Sequence, residues 1–148
     1  MQVGDILDSL ESDRLKIVET GCANTRAIAL WVSRHPESLY ATADLDSFAQ
    51  WHAHQELEQD GTARFCTFLT QDHTKFLSNR TWVDVAFLQA PNLQDGLTEF
   101  LLTTSTGARV IVMTGYQSRA AHAIRRAKEI GWTYESAGDL NILRRPEE

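Results

Sequence analysis

The stretch Ile17-Val18-Glu19-Thr20-Gly21-Cys22-Ala23-Asn24-Thr25-Arg26 decides how the chain reads. Apolar, β-branched residues lead through an acid and a single glycine into a segment with helical spacing, the order strand, turn, helix. A dinucleotide-binding turn would carry G-x-G-x-x-G and present a helix amino terminus to the diphosphate. Here one glycine stands alone, and Glu19 immediately before the turn would repel a diphosphate. The same acid suits a ligand carrying an ammonium and a sulfonium, so a nicotinamide-binding oxidoreductase is disfavoured.

Working outward, four more apolar runs follow that first strand of Leu15 to Thr20: Leu39 to Ala43, Arg64 to Thr70, Val83 to Leu88 and Arg109 to Met113. Helical patterns separate several of them, which is the signature of βαβ units and a parallel sheet. Ala27, Ile28, Leu30, Trp31 and Val32 form one stripe, ended by His35-Pro36; Phe48, Trp51 and Leu57 mark another, closed by Gly61. A short helix over Thr74 to Ser78, a helix over Asp95 to Thr104 with Leu97, Phe100 and Leu101 on one face, and a last helix from Ser118 to Ile130 are expected. Trp132 to Ser136 and Leu140 to Arg145, joined by Gly138-Asp139, read as an antiparallel hairpin.

Composition sets the outer limits. At 148 residues, the chain reads as a single domain, 1–148, able to bury about two-thirds of its unfolded surface. No apolar run approaches the roughly 20 residues that span a bilayer, and the amino terminus lacks a signal-peptide pattern, so a cytoplasmic protein without a membrane partner is expected. A net charge of −6 argues against general nucleic-acid binding, which depends on Lys and Arg meeting phosphates. Arg119, Arg125, Arg126 and Lys128 then read as a solvated helix face. Cys22 and Cys66 have neither metal-ligand spacing nor a disulfide framework and are expected as buried free thiols. His35, His52, His54 and His122 read as surface or capping residues, and the four tryptophans, Trp31, Trp51, Trp82 and Trp132, as packing residues on apolar faces.

In a doubly wound sheet the ligand sits outside the carboxyl ends of the strands. Three acids fall at successive strand ends: Glu19, then Asp44 in Ala43-Asp44-Leu45-Asp46, 25 positions on, then Asp72 in Thr70-Gln71-Asp72-His73. A carboxylate at the second position can accept from both vicinal hydroxyls of a ribose. Any one of these acids alone is well explained as a helix cap. Their order argues for a crevice in which all three converge, and the charge of Glu19 favours S-adenosylmethionine as its cofactor.

On these residues the chain resembles the class I methyltransferases, in particular small-molecule O-methyltransferases whose first motif reads Glu-Thr-Gly and whose second strand ends Asp-hydrophobic-Asp. The resemblance extends from Lys16 to Arg145. It implies a three-layer, Rossmann-like, doubly wound and mostly parallel α/β sheet with a carboxyl-terminal antiparallel hairpin. It also implies that Glu19 and Gly21 meet the methionine moiety of the cofactor, Asp44 the ribose hydroxyls, and Asp72 with His73 the adenine, with Thr20, Cys22 and Leu45 also among the cofactor-binding residues.

Two departures from the family pattern bear on mechanism. Ala23 and Asn24 stand where many relatives have a second glycine, and Asn tolerates a left-handed turn better than most residues. Metal-dependent relatives end the fourth strand in Asp and the fifth in an acidic pair, whereas this chain has Leu88-Gln89-Ala90 and Met113-Thr114-Gly115. An amide and a hydroxyl are weak ligands for a hard dication, so no metal is expected. Gln89 and Asn92, flanking Pro91, and Tyr116 are the candidates for orienting an acceptor. The expected activity is metal-independent methyl transfer to a small molecule or a protein side chain, and a homo-oligomer is compatible with it. The rival is a non-catalytic descendant of the fold serving as a binding or assembly module.

Overall fold

The structure, a computed structural model, describes residues 2–147. Seven strands form one sheet: β1 (Lys16–Thr20), β2 (Leu39–Ala43), β3 (Thr67–Leu69), β4 (Val85–Leu88), β5 (Val110–Thr114), β6 (Thr133–Ala137) and β7 (Leu140–Arg144). Their order across the sheet is β3-β2-β1-β4-β5-β7-β6. The first five are parallel; β7 runs antiparallel to β5 and to β6, with Val112 opposite Ile142 and Glu135 opposite Ile142 on its other side. The hairpin is therefore at one edge, as its tight Gly138-Asp139 turn predicts, with its second strand inserted next to β5.

Among the described residues six helices cover the two faces: α1 (Val3–Asp8), α2 (Thr25–Arg34), α3 (Ser47–Asp60), α4 (His73–Ser78), α5 (Leu93–Thr104) and α6 (Ala121–Glu129). Side chains alternate across each strand, so one strand feeds two cores. Val85 and Phe87 of β4 pack with Ile17, Ile28, Val32, Ile6 and Leu57 on the side of α1, α2 and α3. Ala86 and Leu88 pack with Val18, Phe76, Phe100, Ile124 and Trp132 on the side of α4, α5 and α6. All four β4 residues are buried, which is why that run is continuously apolar. The same alternation turns Glu19 toward α2 and its neighbour Thr20 toward α5.

Several expectations need correction. The run Arg64 to Thr70 is a strand only over Thr67–Leu69; Ala63–Phe65 forms a single 3-10 turn ahead of this short edge strand. Likewise Gln117–Ala120 is a 3-10 turn that precedes α6 instead of opening it. The buried face of α3 is Gln50, Ala53 and Leu57, while Phe48 and Trp51 are 72% and 59% exposed. The buried face of α5 is Gly96, Glu99, Phe100 and Thr103, with Leu101 exposed. Trp31 and Trp132 are buried as expected, but Trp82 and Trp51 face solvent. Cys22 and Cys66 are free and half-buried. Among the described residues no helix is long and apolar enough to cross a membrane.

Candidate functional site

Strand order reverses at β1, which has β2 on one side and β4 on the other. The crevice opened at such a point is where α/β sheets bind ligands. A groove of about 770 Å³ lies there, outside the carboxyl ends of β1 to β4. Its floor is the loop Gly21-Cys22-Ala23. One wall is Asp44, Leu45 and Asp46 with Phe48, Ala49, His52, Ala53 and Glu56 of α3. The other is Asp72 and His73, and Gln89-Ala90-Pro91 with Arg119 closes one end. The volume is in the range of small-molecule sites.

The loop is tight because Gly21 adopts φ +77°, a left-handed conformation that favours glycine. Its N–H donates to Ala43 O at 2.9 Å, and its carbonyl accepts from the Thr42 hydroxyl at 2.7 Å, so the turn is tied to β2. Beneath it lies Glu19, 1% exposed. Its carboxylate accepts from the Asn24 N–H at 2.9 Å, the Thr25 hydroxyl at 2.7 Å and the Tyr40 hydroxyl. Burial pushes its pKa up from 4.5 to about 7, against the pull of those bonds. Glu19 does not line the groove, so of the three acids expected to converge only Asp44 and Asp72 do. The alternation of β1 is the reason, because it directs residue 19 beneath the start of α2.

Asp44 Oδ1 accepts from the Asp46 N–H at 3.0 Å and lies 3.7 Å from Nε2 of His73. His73 Nδ1 is in turn 3.3 Å from Oε2 of Glu99, whose other oxygen takes the Thr20 hydroxyl at 2.6 Å. Thr20 is fully buried under the groove and also receives the Gln89 N–H, at 3.1 Å on its hydroxyl and 3.2 Å on its carbonyl. Burial pulls the His73 pKa down, but Glu99, Asp44 and Asp72 together outweigh it and raise it above 6.5. Glu99 carries no sequence signal of a site: it is one acid within an otherwise helical pattern, and only its 0% exposure marks it.

The remaining candidates divide. Gln89 and Cys22 line the groove, the Cys22 thiol pushed up to about 12 by burial and by the charges of Glu19 and Asp44. Leu45 lines it too, 62% exposed. Asp72 accepts from the Lys75 N–H at 3.2 Å and caps α4, so it serves a helix while facing the groove. Asn92 stands outside the groove: its side chain accepts from the Asp95 N–H at 2.9 Å and donates to that carboxylate at 3.0 Å, capping α5. Tyr116 is 77% exposed at the start of the 3-10 turn and is not among the lining residues. His52 and Arg119, read from sequence as surface residues, face the groove.

No family model matches the sequence. No curated protein matches it either. Solved structures do match by shape. A methyltransferase from Geobacter sulfurreducens superposes with a TM-score of 0.68 at 17% identity, covering 99% of this chain and 79% of that one. A SAM-dependent O-methyltransferase from Thermotoga maritima gives a TM-score of 0.68 at 12% identity, over 98% of this chain and 66% of that one. Precorrin 8w decarboxylase from Methanobacterium thermoautotrophicum gives 0.71 at 12% identity, over 97% and 88%. At these identities the likeness is one of fold: the chain has the fold of S-adenosylmethionine-dependent methyltransferases, built on a seven-stranded sheet of order β3-β2-β1-β4-β5-β7-β6.

Proposed function

We propose that the chain is an S-adenosylmethionine-dependent methyltransferase acting, without a metal, on a small molecule or an exposed protein side chain. The observation that carries this reading is Asp44, which directly follows β2 and lines the switch-point groove. Its Oδ1 is held by a backbone N–H, while its Oδ2 has no hydrogen-bond partner among the described residues. A free carboxylate oxygen beside a closed glycine turn fits a ribose diol with the rest of a nucleoside ligand laid over Gly21-Cys22-Ala23. The apolar side chains of Leu45, Phe48 and Ala49 fit a purine face.

When bound, the cofactor supplies an electrophilic methyl on sulfonium. The chain's own contribution is placement. Asp44 anchors the ribose, the turn at Gly21 sets how deep the ligand lies, and Gln89, at the end of β4, offers an amide to orient an acceptor in line with the methyl. The acids of the groove, Asp44, Asp46, Glu56 and Asp72, favour a cationic ligand. Gln89 and Thr114 offer neutral oxygens where a hard dication would want carboxylates, and the Thr114 hydroxyl is already taken by the Asn24 amide at 2.7 Å.

Titration calorimetry with S-adenosylmethionine and with S-adenosylhomocysteine tests the reading. Binding with Kd of about 1 mM or tighter is expected for both. Failure of both to bind at that concentration defeats it.

A further inference from the structure

Behind the lining of the groove lie charges that a passive cofactor shelf would not need. Glu99 projects from α5 with 0% exposure, and a buried acid is costly unless it is paired. Its two oxygens are divided between two elements: one takes the Thr20 hydroxyl of β1, the other faces His73 Nδ1 at 3.3 Å. His73 spans the gap at the start of α4, with Nε2 3.7 Å from Asp44 Oδ1 at the end of β2. The result is a chain of four side chains, Thr20, Glu99, His73 and Asp44, drawn from four elements and ending on the carboxylate that the proposed function assigns to the ribose.

We propose that His73 is a positioning residue, which Glu99 holds from within the core so that it fixes the Asp44 carboxylate for a nucleoside. The inference rests on the methyltransferase reading for the identity of the ligand but not for the chain of contacts. Charged His73 donates Nδ1–H to Glu99 at 3.3 Å, and its positive charge stands 3.7 Å from Asp44 Oδ1 as an ion pair. With Oδ1 so engaged and bonded to the Asp46 N–H, the carboxylate is held in one orientation and Oδ2 is left to the ligand. When His73 loses its proton while keeping Nδ1–H on Glu99, the lone pair of Nε2 faces Asp44 Oδ1 and the hold becomes a repulsion. The charged groups facing the imidazole are Glu99 from α5, Asp44 from the end of β2 and Asp72 beside it at the cap of α4, all acidic. Removing Glu99's charge therefore makes the imidazole easier to deprotonate.

The test is adenosine affinity as a function of pH, measured by calorimetry for the parent, Glu99→Gln, His73→Gln and Asp44→Asn. The parent should bind about tenfold more weakly above the His73 transition than below it. Glu99→Gln should keep that step but move it about one pH unit or more lower. His73→Gln should bind weakly with no step, and Asp44→Asn weakly at every pH. Glu99 serving only to brace Thr20 would lower stability and leave the step where it was. A Glu99→Gln profile that superimposes on the parent's, or a step surviving in His73→Gln, overturns the proposal. The ligand-free imidazole is followed in parallel by NMR, in parent and Glu99→Gln. Absence of adenosine binding at every pH defeats the nucleoside reading of the groove, whereas an unchanged imidazole titration defeats the Glu99–His73 coupling itself.

Discussion

Gln89 closes over Gly21 so tightly that a β-carbon at position 21 would stand 2.4 Å from the Gln89 side-chain oxygen and 3.0 Å from its Cβ. The turn at the end of β1 and the residue after β4 are thus fitted to each other, and Gly21 meets two demands at once, space and a left-handed φ. Gly21→Ala should destabilise the protein by about 1–2 kcal/mol from the backbone term alone, with the contact added to it. Gln89→Ala in the same chain should relieve the clash with the amide oxygen while leaving the 3.0 Å approach of Cβ and the backbone part. Urea unfolding of the two single variants and the double variant checks this; strict additivity would show that the two residues do not meet.

Glu19 makes stability depend on pH. Its folded pKa of about 7 lies above the ordinary 4.5, with burial as the cause, so the folded state holds the proton more tightly than the unfolded one. The contribution is complete below pH 4.5, declines as pH rises to about 7 and is lost above it, a change of about 3 kcal/mol. Glu19→Gln has no such proton to lose. The difference in unfolding free energy between pH 5 and pH 8 should therefore shrink by about that amount in the variant, and equal pH slopes in the two proteins would rule the assignment out.

Asp44 and Asp72 both face the groove but should respond differently to substitution. Asp44→Asn removes a charge from the proposed ribose contact and should weaken adenosine by roughly ten- to hundredfold, or about 1.5–3 kcal/mol. Asp72→Ala chiefly removes the cap of α4 and should cost about 1 kcal/mol of stability. Paired calorimetry and thermal unfolding separate the two; equal losses of affinity would mean that the ligand contacts both.

Phe100 is completely buried between α5 and the sheet, edge-on to Trp132 with ring centroids 5.4 Å apart. Phe100→Ala should cost about 3–5 kcal/mol in urea unfolding. A loss under 1 kcal/mol would mean that the second core repacks freely.

The sheet was legible because strands buried on both faces cannot hide: Val83 to Leu88 and Arg109 to Met113 have little choice of partner. The helix faces were harder to read. Leu97 and Leu101 look like the inner stripe of α5, yet the face turned to the sheet carries Glu99 and Thr103, whose polar groups are satisfied there by Thr20 and by the Glu99 carbonyl. Periodicity counts apolar residues and overlooks a polar residue buried with its partner. The helix α1 is not among the expected elements: at six residues it offers only Val3, Ile6 and Leu7, all buried, as a stripe, too short a pattern to stand out. At the site, Asp44 and Asp72 followed from strand ends alone. Glu19, expected to face the ligand, is buried beneath the loop instead, because the alternation that buries it depends on which strand face α2 covers. Asn92, expected to orient an acceptor, begins Asn-x-x-Asp ahead of an apolar run, which is also a capping pattern, and its side chain caps α5.

The placement of the four tryptophans divides the protein's own fluorescence into separable reporters. Trp31 and Trp132 lie in opposite cores, shielded from aqueous quenchers, while Trp51 and Trp82 are 59% and 55% exposed. Trp51 stacks with Phe48, which lines the groove, at 6.2 Å between centroids. Trp82 precedes β4 and so stands at the opposite end of the strands from the groove. Iodide should quench only this second pair, and a ligand settling in the groove should alter the emission of Trp51 and leave Trp82 as an internal reference. Occupancy can then be followed in the unlabelled protein, with Trp51→Phe as the silent control.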